Sequence, residues 1–388
     1  MVTSIAAYYL TAIVLFLLAW HAYAREERRV LNGRDALGFF NWEFLCSIGL
    51  VTLFMALRYH TGYDHEMYME QYAYLVEHGK FLRPDFEPGF LLVTKVFAAI
   101  KAHYAFYFAF WALAQVAAIF FALRHRKFVL PWVMVLLLLG PYSINYLTFM
   151  RQWTIACLML LTLPLFERRN IGSFLVFLLF VALAMTIHKS AILLVLFYWL
   201  PFGKIASLSR RTYIIAIVAC IVLGLLPYWI IILRPLKPLM LAVYAKYDYL
   251  LTPLLNLEFS YMNWGFLHCT TVFTHVFALW FFPQVRRMFS DDKWLPIIFT
   301  IAFLGVCYEN LFINTSYFLV RPCDFTYIFL LILLGYTFTY LYKERKLLPL
   351  AIGVIVMMAY VFINVLKVSR FPEGEQARVV LYNFFFMQ

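Results

Sequence analysis

Residues 38–57, GFFNWEFLCSIGLVTLFMAL, run without a break into residues 58–90, RYHTGYDHEMYMEQYAYLVEHGKFLRPDFEPGF. An apolar run of about 20 residues is long enough to cross a hydrocarbon core of about 30 Å as a helix. The stretch after it is crowded with charges and tyrosines, so Arg58, His60, Asp64 and Glu87 are expected at the mouth of a membrane helix.

The chain has 388 residues, 65% hydrophobic and 13% charged, which leaves too little polar surface for a soluble globule. It is expected to be one polytopic, all-α membrane domain over 1–388. Only helices or closed barrels satisfy backbone polar groups in lipid, and no ten-residue strands of period two are apparent. Runs of spanning length lie at 4–23, 38–57, 104–123, 213–233, 264–283, 294–313, 322–342 and 347–366. Shorter runs at 128–147, 150–166, 171–188 and 190–202 are interrupted by Gly140, Pro141, Arg151 and His188. The expectation is about twelve transmembrane helices. Ala22-Tyr23-Ala24 resembles a signal-peptide cleavage site, but MVTS carries no basic residue and Arg25, Arg28 and Arg29 follow the apolar run. A retained first span entering from outside is the better reading. No domain boundary or repeat is visible, and the six cysteines are scattered singly through apolar runs, as small packing residues are.

Six short basic loops fix the orientation: Arg25 to Arg34, Arg124 to Lys127, Arg168-Arg169, Lys204 to Arg211, Arg286 to Lys293 and Lys343 to Lys346. Placing all six in the cytoplasm obeys the positive-inside rule and puts both termini outside. Residues 58–103 then form an outer-face loop and 234–263 a second one. Between 58–86 outside and 124–127 inside there is room for one crossing, which 104–123 supplies. The segment after Glu87 is therefore expected to be re-entrant or interfacial, which membrane depth tolerates only under protein or beside a watery cavity.

This topology gathers polar residues from five places on the outer side: Arg58, His60, Asp64 and Glu87; Asn145, Arg151 and Gln152; His188 and Lys189; Arg321 and Asp324; and Arg370. Charges at membrane depth cost free energy unless partners or a ligand compensate them. A net charge of +12 that includes outward arginines points to an anionic ligand, phosphate foremost. Nucleic acid is excluded as a reading, because the basic residues form no continuous patch and no binding module is recognisable.

Arg58 with Thr61-Gly62-Tyr63-Asp64 and Tyr68, Glu87-Pro88-Gly89-Phe90, Asn145 with Arg151-Gln152 and Ala156, His188-Lys189-Ser190-Ala191, and Arg321 occur in an order that resembles the EpsG-type, or Wzy-like, polysaccharide polymerases. The resemblance covers 58 to about 330. It implies transfer of a polyprenyl-pyrophosphate-linked glycan to the non-reducing end of another lipid-linked repeat unit, as in O-antigen or exopolysaccharide synthesis. The expected setting is the periplasmic face of a bacterial inner membrane, with a helical plan comparable with GT-C glycosyltransferases. Donor and acceptor would both be polyprenyl-pyrophosphate-linked oligosaccharides, and a chain-length regulator is left open as a partner.

Such chemistry needs the leaving pyrophosphate stabilised and an acceptor hydroxyl deprotonated. Guanidinium forks suit the first task, so Arg58, Arg151 and Arg321 are candidates, with Lys189 as a further charge and His60 and Gln152 as substrate contacts. Asp64, Glu87 and His188 compete for the base, Glu87 first. Each has a plainer alternative. Arg58 fits a snorkelling anchor, Asp64 a cap for a helix beginning near His65, Glu87 a partner for Arg83 or Lys80, and Asp324 a counter-charge for Arg321. The tyrosines at 68, 72 and 74 fit a sugar platform or an aromatic belt. His268 and His275 lack a matching pair for haem and read as core histidines. Asp64-His65-Glu66 is an acidic triplet of the kind that holds a divalent cation against lipid phosphate, yet outer arginines can replace a cation, and a metal-independent site without cofactor is expected. The alternatives in function are a lipid-linked oligosaccharide flippase or other transporter, an O-antigen ligase-type or metal-dependent polyprenyl-phosphate sugar transferase, and, more remotely, an acyltransferase.

Overall fold

The computed structural model describes residues 2–226, 228–243, 248, 252, 255, 265–313, 317–370 and 380–384. Helix α1 (Val2–Leu31) carries the first apolar run, and α2 (Trp42–Ala56) the run at 38–57. Asn41 starts α2 by accepting a hydrogen bond from the Phe44 amide at 3.0 Å, which satisfies one of the donors a helix start leaves open. The polar stretch holds a two-residue strand, β1 (Arg58–Tyr59), and two helices, α3 (His65–His78) and α4 (Pro88–Ala99). Helices α5 (Tyr104–Ala122) and α6 (Leu130–Leu139) follow, and Gly140-Pro141 breaks the chain into short helices α7 (Ser143–Thr148), α8 (Met150–Met159) and α9 (Leu163–Arg168). Helix α10 (Ile171–Met185) leads into a 3-10 helix of 11 residues, Lys189–Trp199. The remainder comprises α11 (Phe202–Ala206), α12 (Arg210–Gly224), α13 (Tyr228–Val243), α14 (Phe266–Met288), α15 (Leu295–Phe312), α16 (Tyr317–Val320), a 3-10 turn Arg321–Phe325, α17 (Tyr327–Lys343), α18 (Leu347–Ser369) and β2 (Asn383–Phe384).

The chain is an all-α polytopic membrane protein. Among the described residues, α1, α5, α14, α15 and α18 are long and apolar enough to cross a membrane. Helices α2, α4, α6, α10, Lys189–Trp199 and α17 are apolar but shorter. Helix α4 has 12 residues, about 18 Å of rise against a core of about 30 Å, and it packs on α3 and α5. Residues 234–263 lie largely outside the described residues, and their beginning belongs to α13.

Helix α17 is buried at every position from Tyr327 to Leu341, as is nearly all of α6. Helices that are apolar all round belong at the centre of a bundle. The peripheral helices turn apolar side chains outward instead: Leu10, Ile13, Val14 and Leu17 on α1, and Ile352, Ile355 and Phe362 on α18. That is the expected surface of a helix solvated by lipid tails.

The six basic loops meet at one end of this bundle. Lys127, 1% exposed, pairs with Glu26 and donates to the Leu37 carbonyl at 2.8 Å. Arg126 clasps Asp292 with two bonds of 2.7 and 2.6 Å, and the Tyr336 hydroxyl donates to the same carboxylate at 2.6 Å. Lys293 reaches Glu167 at 3.1 Å, Arg286 donates to the Ala206 carbonyl at 2.7 Å, and Lys343 sits 5.9 Å from the Tyr23 ring centre.

The start of α1 lies at the other end with the segment 380–384. Ser4 donates to the Tyr382 carbonyl at 3.2 Å, Tyr8 to that of Val380 at 3.1 Å, and Thr61 to that of Leu381 at 3.1 Å. Strands β1 and β2 pair antiparallel, Arg58 opposite Phe384 and Tyr59 opposite Asn383. The Tyr382 ring stacks on Phe54, centroids 4.4 Å apart.

Candidate active site

At the start of α4 the amides of Gly89 and Phe90 both donate to the Thr186 carbonyl, at 2.8 and 3.1 Å. A Cβ at position 89 would collide with the Thr186 side chain, so only glycine permits this approach. The contact fastens the beginning of α4 to the end of α10 and brings Glu87 beside the His188-Lys189 turn. One Glu87 oxygen accepts the Lys189 amide at 3.0 Å and lies 3.7 Å from His188 Nδ1. Its other oxygen accepts from the Arg151 guanidinium.

Arg151 enters from the second position of α8, just past the Gly140-Pro141 break. Its guanidinium carbon lies 4.5 Å from the Phe86 ring centre, 5.0 Å from Phe90 and 5.7 Å from Tyr68. Stacking of this kind favours arginine over lysine. Nε donates to the Tyr68 oxygen at 3.1 Å, and the Tyr68 hydroxyl points on to Asp64 Oδ2 at 3.5 Å. Nη2 has no hydrogen-bond partner among the described residues, nor has the exposed Lys189 ammonium.

Asp64 stands at the N-cap position of α3, but its side chain makes no cap bond. Burial raises its pKa above the ordinary carboxylate value, while the charges of Arg321 and Arg151 and the Tyr68 hydroxyl offset only part of the rise. His188, in the turn between α10 and the 3-10 helix, is pushed down to about 3 by burial and by Arg151, Arg321 and Lys189. It is therefore neutral. The Ser190 amide donates to Nδ1 at 3.4 Å, which leaves the ring proton on Nε2. Arg321 sits 5.7 Å from the Phe149 ring centre, and its charge is felt by Asp64, Tyr68 and His188. Asp324, three residues on, accepts from the Asn145 amide at 3.2 Å.

The remaining sequence candidates, Arg58, Gln152 and His60, make no hydrogen bond or ion pair with Arg151, Glu87, Asp64 or His188. Arg58 is 1% exposed, donates to the Leu147 carbonyl, and is enclosed by Tyr8, Tyr146 and Tyr382. Gly62, at φ 96°, lets the chain pass so near the Leu147 carbonyl that a Cβ would stand 2.6 Å from it. Gln152 follows Arg151 by about 100° round the helix and is 3% exposed within the bundle. His60 Nδ1 lies 3.6 Å from Glu66 Oε1. The Asp64-His65-Glu66 triplet splays: Asp64 faces Tyr68, Glu66 faces His60, and the His65 ring stacks on Phe108, centroids 4.4 Å apart. No group of three or more His, Cys, Asp or Glu side chains suited to a metal ion is found among the described residues.

Sequence reasoning did not single out Phe86 and took Phe90 only as the end of Glu87-Pro88-Gly89-Phe90, although the signal is present in FEPGF, where two aromatics frame the glutamate. It also passed over Tyr142 and Glu309. His275, 1% exposed in α14, meets both: its Nε2 contacts the Tyr142 hydroxyl and lies 3.4 Å from Glu309 Oε2.

The model of the EpsG family matches residues 41–384. No curated protein and no solved structure matches the chain.

Proposed function

The chain belongs to the EpsG family, polysaccharide-polymerase-like membrane proteins, and from that premise we propose that it lengthens a polysaccharide by transferring a polyprenyl-diphosphate-linked glycan to another lipid-linked repeat unit. The site faces the outer side of a bacterial inner membrane, opposite the end where the basic loops meet. The observation that carries this reading is Arg151: a guanidinium cupped by three aromatic rings and braced by Glu87, with Nη2 uncommitted among the described residues.

Arg151 and Lys189, with Arg321 in electrostatic reach, take the diphosphate. The acceptor hydroxyl oxygen attacks the anomeric carbon, the bond from that carbon to the diphosphate oxygen breaks, and its electron pair stays on the departing diphosphate. The hydroxyl proton passes to Asp64, whose raised pKa and sparse hydrogen bonding suit a base. Glu87 was the first choice for that role from sequence. Both of its oxygens are committed, to Arg151 and to the Lys189 amide, so its task is to hold Arg151. The cationic side chains do the work a divalent cation would do, and the reaction is proposed to run without one.

Purified protein in nanodiscs, given an authentic lipid-linked repeat unit and a chelator, is expected to produce a ladder of lengthened products. Asp64→Asn and Arg151→Ala abolish it, and Glu87→Gln weakens transition-state stabilisation by about 1.5–3 kcal/mol, the worth of a hydrogen bond to a charged group. No ladder from folded protein that moves the lipid-linked glycan across a vesicle membrane would replace the polymerase with a flippase.

A further inference from the structure

Tyr142, His275, Glu309 and Asn310 form a hydrogen-bonded chain inside the bundle, each less than 7% exposed. The Asn310 amide lies 2.9 Å from His275 Nδ1 and can only donate to it. The ring proton then sits on Nε2, which donates to the Tyr142 oxygen, and Tyr142 gives its own proton to Glu309 Oε2 at 3.0 Å. Every link has one direction, and the chain closes on a carboxylate. Maintaining an acidic group in an apolar bundle is costly and argues for a use.

Tyr142 is the element on which the chain converges, and its position gives that use. It is the first residue after Gly140-Pro141, on the strand of backbone that leads to Asn145, Leu147 and Arg151. Its ring stacks on Tyr327, centroids 3.9 Å apart and planes 20° apart. Tyr327 opens α17 two residues after the Arg321–Phe325 turn. The backbones carrying Arg151 and Arg321 are thus clamped to each other at Tyr142 and Tyr327, and a second tie joins Asn145 to Asp324. Helices α14 and α15 supply the other half of the clamp through His275, Glu309 and Asn310.

We propose that the chain Asn310, His275, Tyr142, Glu309 is a positioning device that sets the spacing of Arg151 and Arg321 for a diphosphate. The inference rests on the diphosphate reading of those two arginines. None of the four touches substrate; they act through the two backbones they join.

The test measures binding of a soluble prenyl diphosphate, and ladder formation, for full-length wild type, Tyr142→Phe, Glu309→Gln and the double variant in nanodiscs. Tyr142→Phe keeps the ring stack and removes only the hydroxyl. Each single variant is expected to lose about 10- to 100-fold in turnover per folded molecule, the scale of a displacement of about 1 Å in a bound reactant. Diphosphate affinity falls with it. The double variant should be no worse than either single one, because both break one chain. Unchanged binding and turnover in Tyr142→Phe, additive losses, or losses that match the unfolded fraction overturn the inference while leaving the diphosphate reading in place. A wild type that binds no prenyl diphosphate removes that reading and this inference with it.

Discussion

A guanidinium set in an apolar run needs a counter-charge, and that much about Arg151 is legible before folding. The identity of its partner is not. Sequence offers Glu87 the nearby cations Arg83 and Lys80, whereas its carboxylate pairs with an arginine 64 positions away. Arg58 stands differently: its chemistry suits a phosphate, and in the fold it is buried against the Leu147 carbonyl. His188 yields a test at this scale. Its folded pKa of about 3 lies below the ordinary imidazole value of about 6.5, so the unfolded chain binds a proton that the folded one refuses. The contribution of His188 to stability is present above about pH 6.5 and is lost as pH falls from there towards 3. Thermal unfolding in detergent at pH 7 and pH 4.5 is expected to show a smaller acid-induced loss for His188→Gln than for wild type. Equal losses in both would mean that His188 is protonated in the folded state.

At the scale of elements, spans are read from length and hydropathy because lipid demands both, and the helices at 2–31, 104–122, 266–288, 295–312 and 347–369 follow that demand. Residues 190–202 look like another apolar run, but the chain winds from Lys189 to Trp199 as a 3-10 helix, a choice no composition reveals. The docking of α4 on α10 is equally hidden, since it depends on one glycine meeting Thr186 across about a hundred residues. Gly89→Ala should therefore act on both stability and function. Overpacking of this kind costs about 1–3 kcal/mol, and lifting α4 moves Glu87 off the Lys189 amide. A lower unfolding midpoint with a matching loss of ladder formation is the expected result. Wild-type behaviour in both would show that α4 does not need this contact.

For the molecule as a whole, the basic loops foretell which ends of the helices lie together, because charge asymmetry is a property of the entire sequence. The ties between them, such as Arg126 with Asp292, are pair contacts that sequence spacing does not show. Nor does it show that residues 380–384 return to pair with β1. Tyr382 seals that return by donating to the Phe54 carbonyl and stacking on the Phe54 ring. Tyr382→Ala is expected to cost about 3–5 kcal/mol, as other buried aromatic truncations do. Proteolysis near Tyr59 should increase with it. Unaltered cleavage would mean that β1 holds its place without the returning segment.

The pairing of β1 with β2 also has a consequence in time. Thr61 and its partner Leu381 are 320 residues apart, so at about 5–20 residues per second roughly 15 to 60 s of synthesis separate them. Throughout that interval Arg58 stands at a membrane surface without the strand that will cover it. The nascent protein thus carries Arg58, 1% exposed once folded, without that cover until residue 381 has been made.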